Sequence, residues 1–129
     1  MSSLTNLTIK EAHDGLVGKK FSARELVNAN LDSIETKNEE IYAYLSVAKD
    51  ESLKDADRVD QLIGKGEPIG RLAGIPLAVK DVIFVKGQPL TAGSKILKDY
   101  IAPYDATVVK KLKSENAIFL GKTNMDEFA

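Results

Sequence analysis

The segment from residue 75 to residue 85 constrains the fold of this chain more than any other part of the sequence. It is rich in branched and aromatic residues, and only Lys80 and Asp81 interrupt it with charge. A short apolar run of this kind is typical of a strand buried within a parallel sheet. We therefore predict a largely buried strand here.

The residues before this strand have a helical pattern. A first helix is predicted over residues 4–16. Ser22 and Glu25 have the spacing of a capping box, in which each side chain bonds a free amide at the start of a helix. That second helix is expected to end within residues 37–40, and a third is expected over residues 50–63, where apolar residues recur at helical spacing.

The residues after the strand predict a further helix and a second strand. Asp105 can cap a helix whose apolar side includes Val108 and Val109, and residues 117–120 form a short apolar strand. The order strand, helix, strand is typical of an α/β unit with parallel strands. We expect one α/β domain, with a mainly helical section at residues 1–66 packed on an α/β section at residues 70–129.

Composition excludes several kinds of functional site. The 129 residues include no cysteine and one histidine, His13, so thiolate chemistry and a zinc site with several histidines are both ruled out within them. The net charge of -1 gives no electrostatic case for direct binding to nucleic acid. No apolar run reaches the ~20 residues of a membrane-spanning helix, and the N-terminus lacks the features of a secretory signal, so we expect a cytoplasmic protein.

Two other patterns are weaker than they first look. Gly121-Lys122-Thr123 resembles the end of a phosphate-binding loop, but Asn116 occupies the position where that loop needs its first glycine. Three aspartates at positions 55, 57 and 60 could indicate calcium, yet they fall within a predicted helix. Residues two apart in a helix do not share a face, so a solvated helix surface is the simpler interpretation.

Lys80 is the residue that most needs an explanation. It can point outward from a half-exposed strand, or lay its stem along the surface with its amine in water. The functional alternative is a buried lysine, because burial favours the neutral amine and a neutral amine can act as a base. Asp81 is expected to face the opposite way, since side chains alternate along a strand.

The sequence around Lys80 resembles the lysine-bearing segment of the amidase-signature family. Further blocks follow in the order and at the intervals expected of that family, and they cover residues 70–129. The blocks are Gly74-Ile75-Pro76-Leu77-Ala78-Val79-Lys80-Asp81, Thr91-Ala92-Gly93-Ser94, Tyr104-Asp105-Ala106-Thr107-Val108-Val109, and Gly121-Lys122-Thr123-Asn124-Met125-Asp126-Glu127-Phe128-Ala129.

The resemblance implies a fold and a catalytic role. It implies the first strands of a mixed, mainly parallel amidase-signature sheet, present as an incomplete domain. Members of the family hydrolyse amides through a Ser–Ser–Lys triad, and the resemblance assigns the base role to Lys80. Neither Ser94 nor Ser114 lies in the glycine- and serine-rich block that carries the two family serines. The 129 residues alone are therefore expected to be inactive, with an unpaired strand edge at residues 117–120 and marginal stability.

The closing Asn124-Met125-Asp126-Glu127-Phe128-Ala129 resembles the A subunits of glutamyl-tRNA(Gln) amidotransferases more than general amidases. That resemblance implies glutamine as substrate, B and C subunits as partners, and glutamyl-tRNA(Gln) contacted through the complex. It implies no cofactor on this chain, with ATP and magnesium handled by the B subunit. Two alternatives stay open, namely a general amidase and a non-catalytic binding protein derived from a shortened amidase.

Overall fold

A computed structural model describes residues 3–129 as one α/β unit with four helices and a three-stranded sheet, which confirms the predicted fold class. The helices are α1 (Ile9–Val17), α2 (Ala23–Ile41), α3 (Lys49–Gly64) and α4 (Thr107–Ser114), and the strands are β1 (Tyr44–Val47), β2 (Pro76–Lys80) and β3 (Ile118–Thr123). Short 3-10 turns occupy Leu4–Asn6 and Lys95–Leu97.

Capping boxes start the first two helices. Ser22 and Glu25 make both predicted bonds at the start of α2, with Ser22 Oγ accepting from the Glu25 amide at 3.0 Å. Thr8 and Glu11 form a second box that starts α1. The helix predicted over residues 4–16 is therefore wrong in its start, because Thr8 has extended backbone angles and separates α1 from the turn before it.

The order of strands in the sheet is β1-β3-β2. β2 and β3 run parallel, as the strand–helix–strand pattern predicted, and β1 pairs with β3 in the antiparallel direction. The expectation of an unpaired edge at residues 117–120 is wrong, because β3 is the central strand and β1 covers the side that the sequence left open.

The sheet is covered on both faces. The larger core lies between the sheet and the first three helices, where Leu16, Val27 and Val59 pack with Ile118 and Leu120. The smaller core lies on the opposite face, and its buried residues are Val79, Val85, Val109 and Phe119. Alternate residues of β3 thus point into different cores, as the period of a strand requires.

The predicted cap at Asp105 is wrong. Ala106 is the residue that precedes α4, and no side chain caps the helix there. Asp105 accepts instead from the main-chain amide of Lys86 at 2.7 Å and from the ammonium of Lys113 at 3.0 Å. The carboxylate thereby ties the loop after β2 to the far end of α4.

No helix among residues 3–129 has the length and apolar character needed to cross a membrane.

Candidate active site at the ends of the parallel strands

Lys80 is the last residue of β2 and lies beside Thr123, the last residue of β3. In sheets of this type, ligands bind in the crevice at the carboxyl ends of parallel strands. Val79 and Asp81 are buried on either side, while Lys80 is exposed. Within residues 3–129, the Lys80 ammonium has no ion-pair partner. The described residues therefore do not bury Lys80.

Asp81 and Lys122 form an ion pair inside the protein. The Lys122 ammonium lies 3.2 Å from Asp81 Oδ1, and the two side chains are 0% and 1% exposed. The same ammonium donates to the carbonyl oxygen of Pro89 at 3.0 Å. Lys122 thus joins β3 to the residue after β2 and to the loop beyond it.

The pKa of Lys122 is lowered from its ordinary value because burial disfavours the ammonium. The hydrogen bond and the negative charge of Asp81 act in the opposite direction. The net direction is downward, so burial has a larger effect on the pKa of Lys122 than Asp81 has.

The loop after β2 folds back over Asp81. The amide and the hydroxyl of Thr91 both donate to Asp81 Oδ2, the amide at 3.1 Å. Ala92 and Gly93 have positive φ angles of 50° and 66°, which turn the loop sharply. A side chain at Gly93 would come within 2.8 Å of the Met125 carbonyl oxygen, so only glycine fits there.

The last residues of the chain pack on this loop. The Phe128 amide donates to the Ala92 carbonyl oxygen at 2.8 Å, and Ser94 Oγ lies 2.7 Å from Glu127 Oε1. Segments 91–94 and 124–129 belong to separate blocks of the predicted resemblance, the second of which covers residues 121–129. In the structure they touch, next to the strand that carries Lys80.

Comparison with known proteins assigns the fold and the blocks to one family. A family model described as Amidase matches residues 25–129. This chain belongs to the amidase-signature family. The A subunit of the glutamyl-tRNA(Gln) amidotransferase from Fusobacterium nucleatum is 49% identical over 128 residues, which are 99% of this chain and 26% of that protein. Its counterpart in Granulibacter bethesdensis is 46% identical over 129 residues, with 100% and 26% covered.

Solved structures of amidases have the same fold. The peptide amidase of Stenotrophomonas maltophilia has a TM-score of 0.90 and 29% identity, and the match covers 96% of this chain and 26% of the amidase. A bacterial aryl acylamidase of the amidase-signature family has a TM-score of 0.88 and 32% identity, with 95% and 26% covered. The chain spans about a quarter of the length of the curated relatives that it matches.

The weaker sequence patterns have structural explanations in this amidase-signature segment. Lys122 belongs to β3 and is paired with Asp81, so Gly121-Lys122-Thr123 does not form a phosphate-binding loop. Asp60 accepts from the first amides of α2, those of Ala23 at 2.7 Å and Arg24 at 3.0 Å. It caps a neighbouring helix, a role that the interpretation as solvated surface missed.

The remaining candidates also have local partners. Asp57 pairs with Arg24 at 2.7 Å and Asp55 pairs with Arg58 at 3.1 Å. Ser114 donates to the Lys111 carbonyl oxygen at the end of α4. His13 Nδ1 is buried without a hydrogen-bond partner within residues 3–129. Among the same residues, no group of three or more His, Cys, Asp and Glu side chains could hold a metal ion.

Proposed function

We propose that the full-length protein carrying this segment is the glutamine-hydrolysing A subunit of a glutamyl-tRNA(Gln) amidotransferase. The observation that carries the proposal is the similarity to such subunits over nearly the whole chain, at 44–49% identity in the relatives compared. The position of Lys80 at the carboxyl edge of the parallel strands supports it, because this edge is where α/β sheets bind ligands.

Lys80 serves as the base in the proposed reaction. Its neutral amine accepts a proton from a bridging serine, which in turn takes the proton of the nucleophilic serine. The nucleophile then attacks the side-chain amide carbonyl of glutamine. The amide nitrogen takes the proton back from Lys80 through the bridging serine and leaves as ammonia, and an acyl-enzyme forms. Water hydrolyses the acyl-enzyme to glutamate. A base is needed because a serine hydroxyl is a weak nucleophile until its proton is removed.

Lys80 also needs a drier environment than the described residues give it. Lysine serves as a base only when its amine is neutral, and removal from water favours that form. In the proposal, parts of the full-length protein beyond these residues cover Lys80 and supply both serines. The 129 residues alone are then expected to hydrolyse no amide.

The proposed complex divides the work between its subunits. Ammonia released near Lys80 passes to a B subunit, which uses ATP and magnesium to convert misacylated glutamyl-tRNA(Gln) into glutaminyl-tRNA(Gln). A small C subunit completes the complex by binding to the one that hydrolyses glutamine. The near-neutral charge of this segment supports a division in which tRNA is held elsewhere, because phosphate binding calls for a surplus of basic side chains.

The test compares two nitrogen sources. The full-length protein is purified with its B and C subunits, and amidation of glutamyl-tRNA(Gln) is measured with glutamine and with ammonium chloride. We expect both to support amidation in the complete complex, and only ammonium chloride when the full-length protein is omitted. Glutamine-dependent amidation by the B and C subunits alone would overturn the proposal.

A general amidase is the second candidate. It is favoured by the close structural match to a peptide amidase and an aryl acylamidase, with TM-scores of 0.90 and 0.88. Hydrolysis rates for glutamine, a peptide amide and an anilide distinguish the two. Preference for glutamine supports the amidotransferase, whereas preference for either other substrate supports the general amidase. Absence of all three activities in the full-length protein would favour a binding role.

A further inference from the structure

Two charged side chains lie in the interior beside Lys80, and the proposed reaction uses neither. Lys122 and Asp81 are 0% and 1% exposed, and their charged atoms are 3.2 Å apart. Breaking a buried pair by removing one partner is costly, yet the intact pair adds little net stability over an apolar replacement. Their presence at this position therefore needs an explanation other than stability.

Asp81 is held on several sides at once. Its main-chain amide donates to the Thr123 carbonyl oxygen at 3.1 Å, and its own carbonyl accepts from the Ala92 amide at 3.0 Å. Its carboxylate accepts from the amide and hydroxyl of Thr91 and from Lys122. The residue directly after Lys80 is thus bonded to the end of β3 and to the returning loop.

Lys80 has no comparable contacts of its own. Its ammonium has no ion-pair partner among residues 3–129, and its side chain is exposed between two buried neighbours. Among residues 3–129, the main chain therefore sets the direction in which this side chain leaves the strand. The contacts that fix the main chain at Asp81 therefore also set the direction of the Lys80 side chain.

We propose that Asp81 and Lys122 are positioning residues, which hold the end of β2 so that the Lys80 amine meets the serine it serves. This inference rests on the proposed amidase function. The contacts of the pair are directional. The Lys122 ammonium must face both Asp81 Oδ1 and the Pro89 carbonyl oxygen, whereas two apolar side chains could pack in many arrangements. Proton transfer depends steeply on geometry, and a displacement of about 1 Å can cost on the order of 100-fold in rate.

The test uses three variants of the full-length protein in its complex. They are Asp81→Asn, Lys122→Met, and the double variant with both changes, which leaves no unpaired buried charge. Melting temperature, and kcat and KM for glutamine hydrolysis, are measured for each. The matched control is Asp57→Asn with Arg24→Met, which removes an ion pair whose side chains are each 46% exposed.

We expect each single variant to lose roughly 10- to 100-fold in kcat with KM changed less than about threefold. The double variant is expected to regain much of the melting temperature, because no charge is left buried alone. Its kcat stays low, since the link from β3 to Pro89 is still missing. The control pair leaves kcat unchanged.

Recovery of kcat together with melting temperature in the double variant would overturn the positioning role and leave a purely structural pair. Single variants with the kcat of the unaltered protein would overturn it as well. The unaltered protein separates these results from failure of the proposed function. If it hydrolyses a peptide amide or an anilide but no glutamine, only the substrate assignment fails, and the variants are compared on that amide. If it hydrolyses none of the three, both proposals fail.

Discussion

The ammonium of Lys122 and the carboxylate of Asp81 join the ends of two parallel strands across 3.2 Å of protein interior. Lys122 comes from β3, and Asp81 directly follows the last residue of β2. The pair therefore lies at the edge of the sheet where Lys80 ends its strand. It links the stability of this edge to the chemistry proposed there.

We predict that single and double substitutions of this pair differ in their effect on the stability of the protein. In the full-length protein, Lys122→Met or Asp81→Asn alone is expected to lower the free energy of unfolding by about 3–5 kcal/mol, because each leaves its partner buried without compensation. The double variant should lie closer to the unaltered protein. Denaturant unfolding measures all three, and single variants within about 0.5 kcal/mol of the unaltered protein would contradict the pair's burial.

We predict that Asp105 makes a pH-dependent contribution to the stability of the folded protein. Burial by itself would raise the pKa of Asp105, but the hydrogen bond from the Lys86 amide and the bond and charge of Lys113 lower it below its usual 3.8. A lowered pKa means that the folded state favours the carboxylate. The stabilisation is therefore complete above the unfolded value and is lost as pH falls through the folded value.

The measurement compares Asp105→Asn with the unaltered protein. The variant should melt at a lower temperature near about pH 7, and the difference should shrink as the pH falls below the usual value of 3.8 and the carboxylate of the folded protein becomes protonated. Asp99→Asn serves as the control, since Asp99 is exposed and has no ion-pair partner among residues 3–129. A difference in melting temperature that stays constant with pH would count against this role of Asp105.

Gly121 lies in β3 where any larger side chain would collide with the neighbouring antiparallel strand β1. A Cβ atom at this position would lie 2.2 Å from the Ser46 carbonyl oxygen and 2.9 Å from the Val47 Cα atom, both in β1. Gly121→Ala should therefore destabilise the full-length protein by about 1–3 kcal/mol, as overpacking of a filled interior does.

Gly64→Ala is the matched control for Gly121→Ala. Apart from the backbone of α3 and the two neighbouring residues, no heavy atom lies within 4 Å of a Cβ placed at Gly64, which is the last residue of α3. Alanine favours a helix over glycine by up to about 1 kcal/mol, so this variant should be neutral or more stable in thermal melts. Equal destabilisation by both variants would show that the contact with β1 is not the cause.

The predictable parts of this fold have local signals. Ser22 and Glu25 marked the start of α2, and both capping bonds are present. The apolar residues around Lys80 and those at 117–120 marked two strands, which pair in parallel as expected. These features follow from neighbouring residues, so a single sequence is enough to predict them.

β1 has a weaker signal. It is only four residues long, it alternates between half-buried and exposed, and Ser46 interrupts its apolar residues. The preceding helix ends at Ile41, and its cap residue Tyr42 takes a left-handed conformation with φ of 54°, where glycine is the usual marker of a helix end. The place of β1 in the sheet depends on its pairing with β3, more than seventy residues later in the chain. That non-local pairing is why the sequence predicted the wrong edge.

The sequence singled out Lys80 as a candidate site residue but not the buried pair of Asp81 and Lys122 beside it. Lys80 stood out because a charge interrupts an apolar strand. The strand predicted over residues 117–120 stopped before Lys122, whereas β3 continues to Thr123. A signal was present, since Asp81 lies in one predicted strand and Lys122, of opposite charge, lies two residues beyond the end of the other. Matching these charges across the sheet would have predicted their pairing.

The most direct measurement of the central claim is glutamine hydrolysis by Lys80→Arg in the full-length protein within its complex. Arginine keeps the charge and much of the length of lysine, but its guanidinium stays protonated and accepts no proton. We predict a loss of at least about 100-fold in glutamine hydrolysis, the lower end of the contribution of a general base. Amidation with ammonium chloride should survive, and Lys86→Arg, at an exposed lysine beyond β2, should be unchanged. Glutamine hydrolysis by Lys80→Arg at the rate of the unaltered protein would contradict the assignment of Lys80 as the base.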